Sequence, residues 1–299
     1  MTSNSYVRVY VNFLKKFLKP EAPVKVIFDC SNGTTGRILR QLITNNKKLK
    51  TTFINEKPDG NFPAHGPSPL ARGATRQLKE TVVKEKADLG VVFDADGDRA
   101  VFVDDKGKEI DPILIFLLLS PKFRPPYLVS TSAGKAVIDW LKQGLKVIET
   151  ESGHYAVKKM MLRHRAEFAI EHASHYYFKD FYHADSGILA AVFVLNEVSR
   201  LKKRGISLSE WRRELPNYYR IREKTFRVKD KTRTLARVEK FYQGRGRISK
   251  LDDISVTGKD FWLNLRRAET EPGLRLNLAA KTKEALSREK RNLVRLGFN

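Results

Sequence analysis

The chain is poor in cysteine: Cys30 stands alone among 299 residues. A disulfide framework is therefore excluded, and the histidines show no zinc-ligand spacing to it. Its place at the end of VKVIFDC reads as a buried thiol at a strand end. Long apolar runs are also missing. The two longest, Ile113 to Leu119 and Ile188 to Leu195, fall far short of the ~20 residues of a membrane helix. The opening stretch MTSNSYVRVYVNFLKKFLKP has no uninterrupted apolar segment leading to a small-residue cleavage site, so no secretory signal is read. No membrane partner is expected, and the cytoplasm is the expected compartment. There is no low-complexity tract. Hydrophobic residues make up 41% of the chain, enough for packed cores and too many for a disordered polymer. The length suits two or three domains.

Acid is scarce relative to base. There are 57 Lys and Arg against 34 Asp and Glu, a formal net charge of +23. Such a surplus permits nucleic acid, anionic lipid or phosphorylated small molecules as partners. It is spread along the chain and is densest after residue 220. No basic stretch is interleaved with aromatics as in a nucleic-acid module, so a solvated basic surface is the plain reading and a basic nucleic-acid-binding protein the less favoured alternative.

Apolar spacing divides the chain into alternating elements. Residues 6–18 read as a helix stopped by Pro20, and VKVIFDC as a buried strand. SNGTTG is a loop, GRILRQLI a helix and PDGNFPAHGPSP a Pro/Gly-rich loop. A helix is expected over 70–86, a strand over 87–94, and a hairpin over 100–110 turning at Asp105 to Gly107. The alternation continues with a buried helix at ILIFLLL, strands at PYLVST, LKVIET and AEFAIEH, and helices at 133–144, 154–164 and 187–205. Beyond about 220 the pattern becomes α+β, with helices near 233–243 and 282–297. Domain boundaries are expected near 110 and 220.

Within this basic chain, VVFDADGDRAVFVDDKG places Asp94, Asp96 and Asp98 on alternate positions at a strand end. In an extended or turning loop, alternate side chains can point the same way. Three converging carboxylates repel unless a cation sits among them. Oxygen-only ligands select a hard cation, which Mg2+ fits, with Ca2+ and Mn2+ as alternatives. Gly97 lets the backbone turn tightly enough to bring Asp98 back. The spacing is not that of an EF-hand, whose glycine falls later and whose loop closes on Glu. Arg99 can reach a phosphate oxygen. The competing reading is a polar turn with solvated acids.

DADGDRA after ADLGVVF resembles the metal loop of the α-D-phosphohexomutases, the phosphomannomutases and phosphoglucomutases. DGNFPAHGPSPL, TESGHYAVKKMM, EHASHYYFKDFYHADSGILAA and NLRRAETEPGLRLNLAA are similar to further segments of that family, in the family's order. The resemblance implies an α/β chain: two consecutive phosphohexomutase-type α/β domains, 1–110 and 111–219, followed by a smaller α+β C-terminal domain, 220–299. It implies Mg2+ held by Asp94, Asp96 and Asp98. It also implies a hexose phosphate contacted by Arg99, His154, Glu171, His175, Arg266, Thr270 and Arg275. The chemistry implied is phosphoryl transfer within a hexose phosphate, relayed by a phosphoserine.

The resemblance begins at the family's second domain. No Thr-Ala-Ser-His-type nucleophile loop occurs in these 299 residues. Ser132 in STSAGK is read as a loop serine, and position 129 is Val where a Walker loop requires Gly. No catalytic residue is assigned, and the chain alone is expected to be inactive. It is then a fragment or shortened product, one half of an enzyme completed by a separate chain, or a non-catalytic phosphosugar-binding, regulatory or scaffolding descendant. Two loops depart from the family pattern. Ala173 and Ser174 replace a hydroxyl and a glycine in the sugar loop, and Ala268 and Glu269 alter the phosphate loop. These changes favour the descendant over simple truncation. His65, His164, His172 and His183 are read as structural or solvated.

Overall fold

The computed structural model describes residues 3–268 and 272–298. The chain folds into two compact units, Met1–Arg124 with His172–Glu214, and Pro125–Glu171 with Leu215–Asn299.

The first unit opens with helix α1 (Ser3–Lys15), strand β1 (Val24–Asp29), helix α2 (Thr35–Ile43), strand β2 (Leu49–Ile54), helix α3 (Arg76–Glu85) and strand β3 (Leu89–Phe93). Strands β4 (Ala100–Asp104) and β5 (Glu109–Ile110) and helix α4 (Pro112–Leu119) follow. The sheet order is β2-β1-β3-β4-β5. β1 runs parallel to β2 and β3, and β4 returns antiparallel to β3. Leu78 and Val82 of α3 close a core with Ile27, Val92, Val101 and Val103. The side chains of opposite parity, Phe28, Val91 and Phe102, are buried as well. Both faces of the central strands are thus covered, which is why they read as continuous apolar runs. α4 is apolar on every side because Ile113 to Leu119 are all buried, and Asp111 caps it through the Ile113 amide.

The second unit takes the next stretch: strand β6 (Tyr127–Ser130), helix α5 (Lys135–Leu141), strand β7 (Val147–Thr150), helix α6 (His154–His164) and strand β8 (Phe168–Ile170). β6 lies between β7 and β8, parallel to both. The chain then rejoins the first unit with strands β9 (Tyr176–Phe178) and β10 (Ala184–Asp185), an antiparallel pair, and helices α7 (Gly187–Lys203) and α8 (Leu208–Arg213). α7 packs on β1, β3, β4 and α4.

The last stretch belongs to the second unit: strand β11 (Tyr219–Phe226), helix α9 (Lys231–Tyr242), strands β12 (Arg247–Ser249), β13 (Ile254–Thr257), β14 (Phe261–Arg267) and β15 (Leu274–Ala280), and helix α10 (Lys283–Arg295). Its sheet is antiparallel throughout, in the order β11-β15-β14-β13-β12. Leu263 and Leu265 of β14 and Leu274, Leu276 and Leu278 of β15 share one core face with Val238 of α9 and Leu293 of α10. By the two-residue period of strands, Asn264, Arg266, Arg275 and Asn277 occupy the other face.

The architecture is α/β, with two consecutive α/β segments and a sheet-rich C-terminal part. The helix expected from Leu70 begins only at Arg76. Residues 70–75 form turns and a bend instead, and Gly73 at φ +86° lies outside the helical region.

Candidate functional site

The acidic loop joins β3 to β4 in the middle of the first sheet. Two backbone contacts fix it, one from the loop after β1 and one from the loop after β2. The Thr34 amide donates to the Ala95 carbonyl at 2.8 Å, and the Ala95 amide donates to the Pro67 carbonyl at 3.1 Å. Gly33 is needed here, because a Cβ at that position would lie 2.2 Å from the Ala95 oxygen. Gly97 takes φ +83°, which reverses the loop and returns Asp98 toward Asp94.

One ligand atom from each of Asp94, Asp96 and Asp98 can be chosen so that all lie within 4.8 Å of one another. Asp94 is buried and Asp96 exposed. Asp94 Oδ1 accepts from the Gly97 and Arg99 amides at 3.0 and 3.1 Å, and its Oδ2 accepts from Arg99 Nε at 2.6 Å. Burial pushes the Asp94 carboxyl up, but hydrogen bonds from Asp98 and Arg99 outweigh it and hold the group below its ordinary range. Asp98 goes the other way. Burial first, and Asp94 second, push it up to about 7. Its Oδ1 is buried and has no hydrogen-bond partner among the described residues. An oxygen-only set containing an orphaned buried oxygen and a carboxyl that resists ionisation fits a hard divalent cation.

Arg99 and His175 flank the triad in the same unit. They form an isolated antiparallel bridge. Arg99 gives its Nε to Asp94 and lies 3.6 Å from Asp98. His175 Nδ1 lies 2.5 Å from Asp185 of β10 and 3.9 Å from Asp98. Asp185 was not singled out by sequence reasoning, since its contact with His175 depends on the β9–β10 pair. Ser174, at the altered position of the sugar loop, is buried at φ +66°. That is the left-handed region glycine enters freely and serine does not.

In the second unit, exposed His154 opens α6. Glu171 is buried and accepts from the Gly153 amide at 2.7 Å. This bond brings Glu171 to the loop that carries His154. Arg266 and Arg275 stand directly opposite one another on β14 and β15. Glu223 of β11 lies 3.5 Å from Arg266 and 3.7 Å from Arg275. Nothing in the sequence around Glu223 marked it, because a strand pairing delivers it. Thr270 and Glu269 lie outside the described residues. Arg267 pairs with Asp253.

Cys30 is buried and burial pushes its thiol up to about 12, so it is an inert core thiol. Ser132 is buried, with its hydroxyl 2.7 Å from that of Ser130. His65 is structural: its Nε2 lies 3.2 Å from the buried Asp29 carboxylate.

Two family models match the sequence. They are the alpha/beta/alpha domain II of phosphoglucomutase/phosphomannomutase over residues 5–107 and domain III over 127–219. The chain is 34% identical to the phosphomannomutase of Methanocaldococcus jannaschii over 96% of its own length and 66% of that protein's. It is 28% identical to the phosphomannomutase of Escherichia coli over 91% of its length and 62% of that protein's. The chain thus spans less than two thirds of each of these relatives. Among solved structures, a phosphoglucomutase/phosphomannomutase family protein from Burkholderia thailandensis superposes on 97% of the chain and covers 63% of its own, with a TM-score of 0.83 at 23% identity. The N-acetylphosphoglucosamine mutase of Aspergillus fumigatus, in complex with GlcNAc-6P and magnesium, superposes on 98% of the chain and 70% of its own, with a TM-score of 0.65 at 14% identity. Those two likenesses concern the fold.

Proposed function

The chain belongs to the phosphoglucomutase/phosphomannomutase family, and from that membership we propose that it is the metal-, sugar- and phosphate-binding portion of a phosphohexomutase. The observation that carries the reading is the convergence of Asp94, Asp96 and Asp98 at the end of β3 with an orphaned buried oxygen on Asp98. These three residues hold Mg2+, the metal that accompanies GlcNAc-6P in the Aspergillus relative. Bound there, the ion supplies charge neutralisation for a transferring phosphoryl group.

The chain's own residues bind and orient. Glu171, His154 and His175 read sugar hydroxyls, with His175 held in orientation by Asp185. Arg266 and Arg275 bind a phosphoryl oxygen, and Thr270 adds a hydroxyl. Arg99 steadies the loop through Asp94 and binds a phosphate oxygen beside the metal. The partition into domains at about 110 and 220 is part of this proposal, as is a cytoplasmic setting.

A phosphoryl relay needs a covalent carrier, and these 299 residues hold no nucleophile loop of the family type. We assign the carrier to polypeptide outside them. A separate chain is one source. A second reading is a non-catalytic phosphosugar-binding descendant, favoured by Ser174 in a glycine conformation and by Ala173 and Ala268 at the two binding loops.

Titration calorimetry with Mg2+ on the folded chain tests the metal site. Uptake of one ion that Asp96→Ala weakens supports the reading; no uptake by folded protein overturns it. Conversion of glucose 1-phosphate to glucose 6-phosphate, with Mg2+ and a bisphosphate primer, is not expected from the chain alone. Turnover there would refute the assignment of the carrier elsewhere.

A further inference from the structure

The face of the C-terminal sheet that bears Arg266 and Arg275 has a feature the resemblance does not supply. β14 and β15 pair so that Arg266 meets Arg275 and Asn264 meets Asn277. Two cations directly opposed on one face of an antiparallel pair repel. The backbone register holds them there, so a counter-ion is required. It comes from the next strand. β11 pairs irregularly with β15 between Ile221 and Lys224, and Glu223 stands in that irregularity. Such bulges re-aim a side chain. The Asn277 amide nitrogen donates to Glu223 Oε2 at 2.9 Å. That same oxygen lies 3.5 Å from Arg266 Nη2, and Oε1 lies 3.7 Å from Arg275 Nη1.

We propose that Glu223 is the resident counter-ion of this anion site, which an incoming phosphoryl group must displace, and that it thereby selects for the strongly charged anion. The inference rests on the reading of Arg266 and Arg275 as phosphate-binding residues. Its own content is the competition. Both ionic distances exceed hydrogen-bond length, so the carboxylate neutralises the arginines from ion-pair range. Arg266 Nε is buried with no hydrogen-bond partner among the described residues, leaving a donor that the two oxygens of Glu223 do not meet. A phosphoryl group brings three oxygens and up to two charges, and can take both guanidinium groups while answering further donors. A carboxylate ligand brings nothing that Glu223 does not already offer. With Glu223 in place the cluster carries one net positive charge; without it, two.

The test uses the full 299-residue chain and three probes of anion binding. Inorganic phosphate is titrated by calorimetry into wild type, Glu223→Gln and Glu223→Ser, with circular dichroism to verify the fold. Both variants should bind phosphate about tenfold or more tightly than wild type, as loss of one nearby negative charge requires. Acetate, which stands in for the deleted carboxylate, should bind the two variants and not wild type. Adding Arg275→Ala to Glu223→Gln should abolish both effects. In wild type, phosphate should also shift the NMR signal of the Asn277 side-chain amide as Glu223 leaves it. If wild type binds phosphate, Arg275→Ala removes that binding, and neither the Glu223 variants nor the Asn277 signal responds, the counter-ion role is overturned while the phosphate site stands. If no form binds phosphate, the phosphate-site reading falls and takes this inference with it.

Discussion

Replacing Asp98 by Asn should make the metal-free protein more stable above neutral pH while abolishing its response to Mg2+. The ligand atoms of Asp94, Asp96 and Asp98 lie within 4.8 Å of one another. Two full charges at about that distance repel by roughly 3.5 kcal/mol at an effective dielectric near 20. The Asp98 side chain is 33% exposed, so solvent screening leaves on the order of 1–2 kcal/mol. The sign follows from the carboxyl's rise to about 7. Between the ordinary carboxylate range and that value the folded chain holds a proton the unfolded chain has released, so metal-free stability falls as pH rises through this window. Asn carries no charge and removes the slope. Mg2+ at a hundred times its dissociation constant stabilises wild type by about 2.7 kcal/mol and the variant by almost nothing. Urea unfolding at pH 5 and pH 8, in chelator and in Mg2+, reads all four quantities. A variant less stable than wild type in chelator at pH 8, or one that keeps the Mg2+ increment, would refute the reasoning.

The other expectations concern the frame around the loop. His65→Gln should destabilise more at pH 5.5 than at pH 8.5, because the Asp29 carboxylate raises His65 above its ordinary value. The ion-pair contribution is therefore complete below the unfolded value of about 6.5 and lost as pH climbs through the folded one. Thermal melts across that range check it, and a deficit that grows with pH contradicts it. Gly33→Ala places a Cβ 2.2 Å from the Ala95 oxygen. It should cost about 1–3 kcal/mol and weaken Mg2+ uptake as well; unchanged calorimetry would show that the β1 end does not brace the loop. Leu278→Ala, in the fully buried C-terminal core, should cost about 2–5 kcal/mol in denaturant unfolding, and a loss under 1 kcal/mol would mean that this core is loosely packed.

Much of the frame was legible in the sequence because burial imprints period and composition. VKVIFD, LGVVF and AVFVD are strands, and HYAVKKMMLRH is a helix over all eleven residues. The strand at LKTTFI was not read. It lies at the edge of its sheet, only partly buried, and shows no apolar alternation. The β9–β10 pair was missed because three-residue and two-residue strands leave no periodic signal. For the site, the three acids were visible as a local spacing. Asp185 and Glu223 were not, since each meets its partner only through strand pairing. Nor could the linear pattern reveal that residues 172–214 fold with the first unit, because that depends on contacts distant in sequence.

The acidic loop and the opposed arginines pose the same physical problem with opposite signs. In each, the backbone brings like charges together, by a tight loop in one and by strand register in the other. The acidic loop answers in part with Arg99 on Asp94 and in part by holding a proton on Asp98. The arginine pair answers with Glu223. Neither answer saturates its cluster. Asp98 Oδ1 and Arg266 Nε, both buried, have no hydrogen-bond partner among the described residues. Leaving a buried polar atom unanswered costs about 1–3 kcal/mol, so a ligand that answers it gains that much in binding. Under the proposed function, the carboxylates would take a hard cation and the guanidinium groups a multivalent oxyanion. Those two requirements, more than the overall excess of base, are what phosphoryl chemistry would draw on.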